Sequence, residues 1–342
     1  MTTPVEEPLT EPVTEPAEQP PAAVQPERQG VGLWGATASG KSTFLSALFI
    51  AATRSPADLR VIGRNDESTD FLVRNTHSLN AQHQFPPPTT YQEQLSWTLK
   101  MSVQNPVRSR LFRRVPTRIP FDFRIELQDA PGRIFAAVPE VQPGRLQLSG
   151  DEDDGPDMAS YLANCQGLVL LVDPIREREL GDAHEFFHGT LLRIAQRVEV
   201  PAGERLPHYI AVCVTKFDDP SVFRFARDND FLCISEDDPL MFPRVHDDEA
   251  EQFMRELFAG SPLSDADMVL GALRQYFYPD RIRFFVTSSV GFYIGPSSEF
   301  RENDYWNVVQ VEDGKFQIRG PVHPINIAEP LLWLGESIAA AR

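Results

Sequence analysis

Eight consecutive residues constrain this chain more than any others: Gly35-Ala36-Thr37-Ala38-Ser39-Gly40-Lys41-Ser42. They fit the pattern G-x-x-x-x-G-K-[ST]. The apolar run Val31-Gly32-Leu33-Trp34 precedes them and reads as a strand, and Thr43 to Ala52 follows and reads as a helix. Strand, glycine loop and helix in that order turn a pattern match into a physical statement. Backbone N–H groups and a helix N-terminus then converge where negative charge is favoured. The backbone from Gly35 to Thr43 would cradle phosphates, Lys41 would reach the β- and γ-phosphates, and the Ser42 hydroxyl would bind Mg2+. The bland alternative, a Gly/Ser loop before a buried helix, leaves the flanking pattern unexplained.

The chain has 342 residues, 42% of them hydrophobic, enough for one large domain or two small ones. No apolar run reaches the roughly 18 residues of a membrane-spanning helix. The N-terminus is acidic and proline-rich, unlike a secretory signal. Cys165, Cys213 and Cys233 lack metal-type spacing and suit a reducing cytoplasm, the first two as core residues. A net charge of -17 argues against broad binding to nucleic acid or anionic lipid. Locally, Arg108, Arg110, Arg113, Arg114 and Arg118 form a basic cluster. A solvated loop between strands is its favoured reading, over a dock for an acidic partner, a membrane surface or the chain's own acidic tail.

Residues 1–28 repeat a Thr/Glu/Pro theme with too little apolar surface to offset ordering, and read as a disordered tail. From 29 onward, strand and helix patterns alternate. Leu95, Trp97, Leu99 and Met101 alternate with polar residues, as do Phe121, Phe123, Ile125 and Leu127, giving half-buried strands. Residues 167–172, 209–214 and 282–286 are apolar runs of the kind buried on both faces of a sheet. Helices read near 157–166, 182–198 and 264–277, with a last one from Ile327 to Ala341. This is an α/β pattern with a mostly parallel sheet. The stretches near 53–90, 134–156, 219–263 and 292–325 read as insertions on one domain, the last with a hairpin turning at Asp313-Gly314.

Three further segments carry chemistry. Asp129-Ala130-Pro131-Gly132 ends a strand. Asp129 would hold Mg2+ through water, and the Gly132 N–H would approach a γ-phosphate. Thr215-Lys216-Phe217-Asp218 follows a buried strand. The Asp218 carboxylate would accept the two adjacent donors of guanine, with the Lys216 stem packed on the base. Thr287-Ser288-Ser289 ends the last buried strand and would present the Ser289 N–H to the guanine O6. Taken singly, the Asp129, Asp218 and Ser289 segments read as ordinary turns; their order and strand-end positions give them weight.

With these segments in this order, residues 29–342 resemble the G domain of TRAFAC-class P-loop GTPases, as in Ras-like proteins. The long insertions and the ending Pro324 to Leu334 look like the bacterial double-GTPase group. The resemblance implies a P-loop NTPase fold with helices on both faces of the sheet, and GTP or GDP as ligand with Mg2+. It implies a cytoplasmic switch with slow hydrolysis and two mobile loops, within 53–90 and 132–156. A protein effector or regulator and a dimer or paired GTPase go with that, with no nucleic acid partner and no integral membrane segment. Ser288 joins Ser289 as a base-side residue. Thr89 or Thr90 stands where the family carries the Mg2+-binding threonine of its first switch. Arg133 stands where Ras-like proteins carry a water-positioning glutamine, which implies slow turnover unless another group replaces it. Arg133 either touches the γ-phosphate or lies on the surface, and the surface reading is favoured. Thr215 replaces the commoner asparagine, a change that keeps guanine preference.

Other readings compete. A GTP-bound scaffold would turn over negligibly, and an ATPase would use the same fold. His184-Glu185-Phe186-Phe187-His188 matches H-E-x-x-H and would make a zinc hydrolase, with Glu185 as base and His208 as a third ligand. That motif falls inside the helix between two expected sheet strands, where histidines at this spacing are more often surface neighbours.

Overall fold

A computed structural model describes residues 30–36, 38–54, 58–87, 93–104, 118–129, 158–235, 238–260, 266–296, 299–311 and 315–341, with backbone alone at 93–94, 104, 118–119, 126–129 and 266. In chain order the elements are β1 (Val31–Gly35), α1 (Lys41–Arg54), β2 (Arg60–Gly63), α2 (Asp66–Asn80), β3 (Glu93–Gln104), β4 (Arg118–Asp129), α3 (Met158–Ala163), β5 (Gly167–Val172), α4 (Pro174–Leu180) and α5 (Ala183–Val198). There follow β6 (Tyr209–Val214), α6 (Pro220–Asp228), β7 (Leu232–Ile234), β8 (Pro243–Val245), α7 (Ala250–Ala259), α8 (Ala266–Tyr276), β9 (Ile282–Val286), β10 (Val308–Gln310), β11 (Phe316–Ile318) and α9 (Glu329–Ala341).

The expected α/β architecture is the one observed: a seven-stranded sheet in the order β2-β3-β4-β1-β5-β6-β9. β4, β1, β5, β6 and β9 run parallel, while β2–β3 and β3–β4 pair antiparallel. The apolar runs at 167–172 and 209–214 become interior strands beside β1, and 282–286 becomes the β9 edge, because both faces of the sheet are covered. Trp34, Leu168, Leu170, Val172, Val212 and Val214 pack on one side, against Phe187, Leu191 and Ile194 of α5 and Leu273 of α8. Leu33, Val169, Leu171, Ala211 and Cys213 pack on the other, against Leu45 and Leu48 of α1 and Leu331, Leu334 and Ile338 of α9. Trp34 stacks on Phe187 with ring centroids 5.1 Å apart. Cys165 and Cys213 are buried, as their surroundings implied. No helix among the described residues is long and apolar enough to cross a membrane.

The polar stretch near 53–90 contributes an edge strand at Arg60–Gly63 and a helix at Asp66–Asn80. The apolar stripe of α2 is thin, limited to Phe71, Leu72 and Leu79 beside a buried Ser68. Polar contacts complete its docking: the Ser96 N–H donates to Ser68 Oγ at 2.9 Å, and Trp97 Nε1 donates to the Ser68 carbonyl at 2.9 Å. The stretch 219–263 is likewise ordered into α6, the β7–β8 pair and α7.

The hairpin expected within 292–325 is present as β10–β11, in register from Val308↔Ile318 to Gln310↔Phe316, its turn lying outside the described residues. This lobe closes around Asn307, whose amide donates to the carbonyls of Val290 and Pro321 and accepts from the Gly320 N–H. Gly291 is needed at its entry: φ is +68°, and a Cβ there would lie 1.8 Å from the His323 carbonyl oxygen. The 1–28 tail, most of the arginine-rich turn and the acidic loop of 134–156 also lie outside the described residues. Gly291→Ala is expected to destabilise the protein by about 3 kcal/mol, in the upper range for one substitution. Denaturant unfolding checks this, and a stability equal to wild type contradicts it.

Candidate functional site

β1 ends at Gly35 and α1 begins at Lys41, so the glycine loop occupies the turn between them. The Ser39 N–H bonds back to the Ala36 carbonyl at 3.1 Å, and Phe44 opens the helix by bonding to Gly40 at 2.7 Å. Ala38 and Gly40 adopt positive φ, 63° and 93°. Among the described residues, nothing lies within 4 Å of a Cβ built at Gly40, so the loop presents bare backbone on that side. A Cβ at Gly35 would come within 2.6 Å of Ser39 Oγ, which is buried there. Lys41 Nζ curls back over the loop and donates to the carbonyls of Gly35 and Ala36 at 3.1 and 3.2 Å. Ser42 and Thr43 lie half-buried in the first turn of α1, which carries no acidic residue. Open backbone, an ammonium and a helix N-terminus without an acid suit a polyphosphate. The Ser42 hydroxyl suits the Mg2+ that accompanies one. Thr37 lies outside the described residues.

The parallel register aligns the strand ends. Gly35 pairs with Leu171, Leu171 with Cys213 and Cys213 with Phe285, forming one row along the sheet edge. β4 pairs with β1 through Val31↔Ile125 and Gly32↔Glu126, so its continuation brings the end at Asp129 to the level of Gly35. Asp129 thus ends its strand at the edge that carries the phosphate loop, the edge where open α/β sheets bind ligands. Its side chain, and all of Thr89, Thr90, Gly132 and Arg133, lie outside the described residues.

Further along the same edge, Thr215 is tied to β5: its N–H and Oγ1 both donate to the Val172 carbonyl, at 2.9 and 3.2 Å. Lys216 turns the chain with φ of +58°. The Phe217 N–H donates to the Thr287 carbonyl at 3.0 Å, and its ring packs among Phe223 and Phe292. Asp218 is only 6% exposed. Ser288 Oγ donates to Asp218 Oδ1 at 2.5 Å and accepts from the Gly291 N–H at 2.7 Å. Ser288 is itself pinned by paired backbone bonds with Ile325, at 3.0 and 2.8 Å. Ser289 follows, half-buried. Burial pushes the Asp218 carboxyl up to about 6, against the Ser288 bond and its own backbone N–H, which pull it down. Thr215, Lys216, Asp218, Ser288 and Ser289 thus meet beside one another, on the same strand edge as the glycine loop.

One residue of this edge was not singled out in the sequence. Asp173 follows β5 directly, accepts from the N–H groups of Ile175 and Arg176 at 3.0 and 3.3 Å, and takes the Lys216 ammonium at 2.6 Å. The available signal was Asp before Pro174, a pattern that opens helices with the Asp as N-cap.

His184 and His188 share a face of α5 with ring centroids 5.2 Å apart, while Glu185 is exposed. The His208 ring bonds to the Ala163 carbonyl instead. Among the described residues, no group of three or more His, Cys, Asp or Glu side chains is arranged to hold a metal ion.

No protein-family model and no curated protein matches this chain. Among solved structures it is similar to the signal recognition particle receptor SRb-GTP/SRX complex from Chaetomium thermophilum, at 11% identity and a TM-score of 0.31 over 79% of this chain and 93% of that one. It is similar to the bacterial selenocysteine-specific elongation factor EF-Sec at 13% identity and a TM-score of 0.28, over 77% of this chain and 26% of that one. Sup35 complexed with GDP gives 12% identity and a TM-score of 0.30, over 86% of this chain and 48% of that one. At these scores the likenesses carry no functional weight; the glycine loop, the shared strand edge and the Asp218 carboxylate do.

Proposed function

We propose that this protein is a P-loop GTPase, a nucleotide-dependent switch that binds GTP and GDP with Mg2+ and hydrolyses GTP slowly. The observation that carries the reading is the Asp218 carboxylate, buried and held by Ser288 on the edge that bears the glycine loop. A purine triphosphate seated along that edge would lay its phosphates on the loop and its base toward Asp218. Two adjacent N–H donors distinguish guanine from adenine, and a carboxylate accepts both. Burial suits this role, since the charged group then lacks water and gains most from the base.

In this reading Lys41 neutralises the β- and γ-phosphates, and Ser42 and Asp129 hold Mg2+, Asp129 through water. Bound Mg2+ would neutralise charge developing on the transferred phosphoryl group. The Ser289 N–H meets the guanine O6. Thr89 or Thr90 and the Gly132 N–H sense the γ-phosphate, and their segments rearrange on hydrolysis. The Arg133 side chain has no amide group to orient water, which slows turnover. Residues 29–342 form one G domain behind the 1–28 tail, acting in the cytoplasm on a protein effector, with a second copy or a second GTPase as companion. The scaffold alternative shares every binding feature and differs only in lacking turnover.

Lys41→Ala is expected to abolish nucleotide binding, and Asp218→Asn to cut the GDP-over-ADP preference on the order of 100-fold, the worth of two charge-assisted hydrogen bonds. Titration with both nucleotides checks this; an unchanged preference in Asp218→Asn removes that residue from the site. The pH dependence has a definite sign. With its carboxyl raised from 3.8 to about 6, folded Asp218 keeps a proton that the unfolded chain releases, so its ionisation lowers stability as pH rises through that window. Guanine needs the ionised form, so GDP affinity is full above pH 6 and falls as pH drops below it, by up to about tenfold per unit. ADP binding should not follow that trend. For turnover, single-turnover hydrolysis of bound GTP should proceed slowly without a partner; complete absence of phosphate release over hours selects the scaffold alternative.

A further inference from the structure

The ion pair between Asp173 and Lys216 joins two adjacent strand ends. β5 and β6 run parallel with Val172 opposite Val214, so the residues that follow, Asp173 and Thr215-Lys216, leave the sheet side by side. The Asp173 side chain is only 3% exposed, against 42% for Lys216. A buried carboxylate is strongly unfavourable unless its oxygens are satisfied. Here they are: one oxygen accepts from the Ile175 and Arg176 N–H groups that open α4, and the other takes the Lys216 ammonium. Lys216 is a long, flexible side chain on a backbone held at φ of +58°, a conformation that non-glycine residues avoid. Its backbone neighbours are fixed by bonds to Val172 and Thr287. The elements flanking this turn are tied as well, since Arg178 of α4 donates to Ser221 Oγ of α6 at 2.7 Å. Without Asp173, the turn would stay tied through its backbone while the Lys216 side chain would lose this anchor.

We propose that Asp173 is a positioning residue for base recognition: its buried carboxylate holds Lys216 so that the lysine stem forms one wall of the purine slot beside Asp218. This rests on the nucleotide reading above. Asp173 touches no substrate and acts through Lys216. A preset wall removes the loss of rotamer freedom that Lys216 would otherwise suffer on binding.

The test is a double-mutant cycle in the full chain with Asp173→Asn, Lys216→Met and the double variant, read by titration with fluorescent mant-GDP and mant-ADP. The Asp173→Asn variant keeps an amide oxygen for the α4 N-terminus and loses the charge facing Lys216, so its nucleotide-free melting temperature should stay within roughly 2 °C of wild type. Each single variant should weaken mant-GDP binding about tenfold, and the double variant should bind no worse than Lys216→Met alone. Wild-type affinity in Asp173→Asn, or losses that multiply to about 100-fold in the double variant, would overturn the proposal. If Asp173→Asn does not fold, Asp173→Ser, which keeps a cap acceptor, runs the same cycle. A wild-type preference for mant-ADP would overturn the guanine reading alone; the cycle in mant-ADP then decides on Asp173, coupling supporting it and additivity overturning it. Failure of the wild type to hold either nucleotide overturns both.

Discussion

The parallel register of five strands is the constraint on which the site depends. Because Gly35, Leu171, Cys213 and Phe285 lie in one row, the residues just past each strand come out together. Those residues are the glycine loop, Asp173, the Thr215–Asp218 turn and the Thr287–Ser289 turn. They span more than 250 positions of sequence, and backbone pairing alone brings them to one edge. The register is fixed in turn by burial. Each central strand sends alternate side chains into two separate cores, and a one-residue slip would exchange them.

The edge carries charge in an unusual balance for a chain of net charge -17. At the loop end sit a lysine ammonium and a helix N-terminus with no nearby acid in its first turn. At the other end sit two buried carboxylates treated differently. Asp173 is satisfied by two N–H groups and Lys216, whereas Asp218 has one oxygen oriented by Ser288 and a raised carboxyl affinity for protons. The first is a structural charge. In the proposed reading, the second is held ready for donors that a guanine ring supplies.

Much of this was legible in the sequence, for identifiable reasons. Continuous apolar runs at 167–172 and 209–214, and the run 282–286 broken only by Arg283, mark strands covered on both faces, and they became β5, β6 and β9. The alternation from Leu95 to Met101 and from Phe121 to Leu127 gave β3 and β4. The α2 helix was hidden because few apolar residues mark its buried face, and polar bonds to Ser68 do part of its docking. The short α4 was hidden for a related reason: its seven residues show no periodicity, and only the Asp173-Pro174 start marks it. With it went the role of Asp173, since no pattern in the chain links it to a lysine 43 positions later. The sequence marks Ser288 as a base-side residue of a small-residue turn; that its hydroxyl orients Asp218 is a tertiary fact.

In the proposed reading, this strand edge recognises a guanine nucleotide. The most direct measurement is the identity of the nucleotide released by denaturing the purified protein, separated by chromatography and quantified against protein. GDP or GTP near one equivalent is the expected result. An adenine nucleotide in that fraction would contradict the role given to the carboxylate of Asp218.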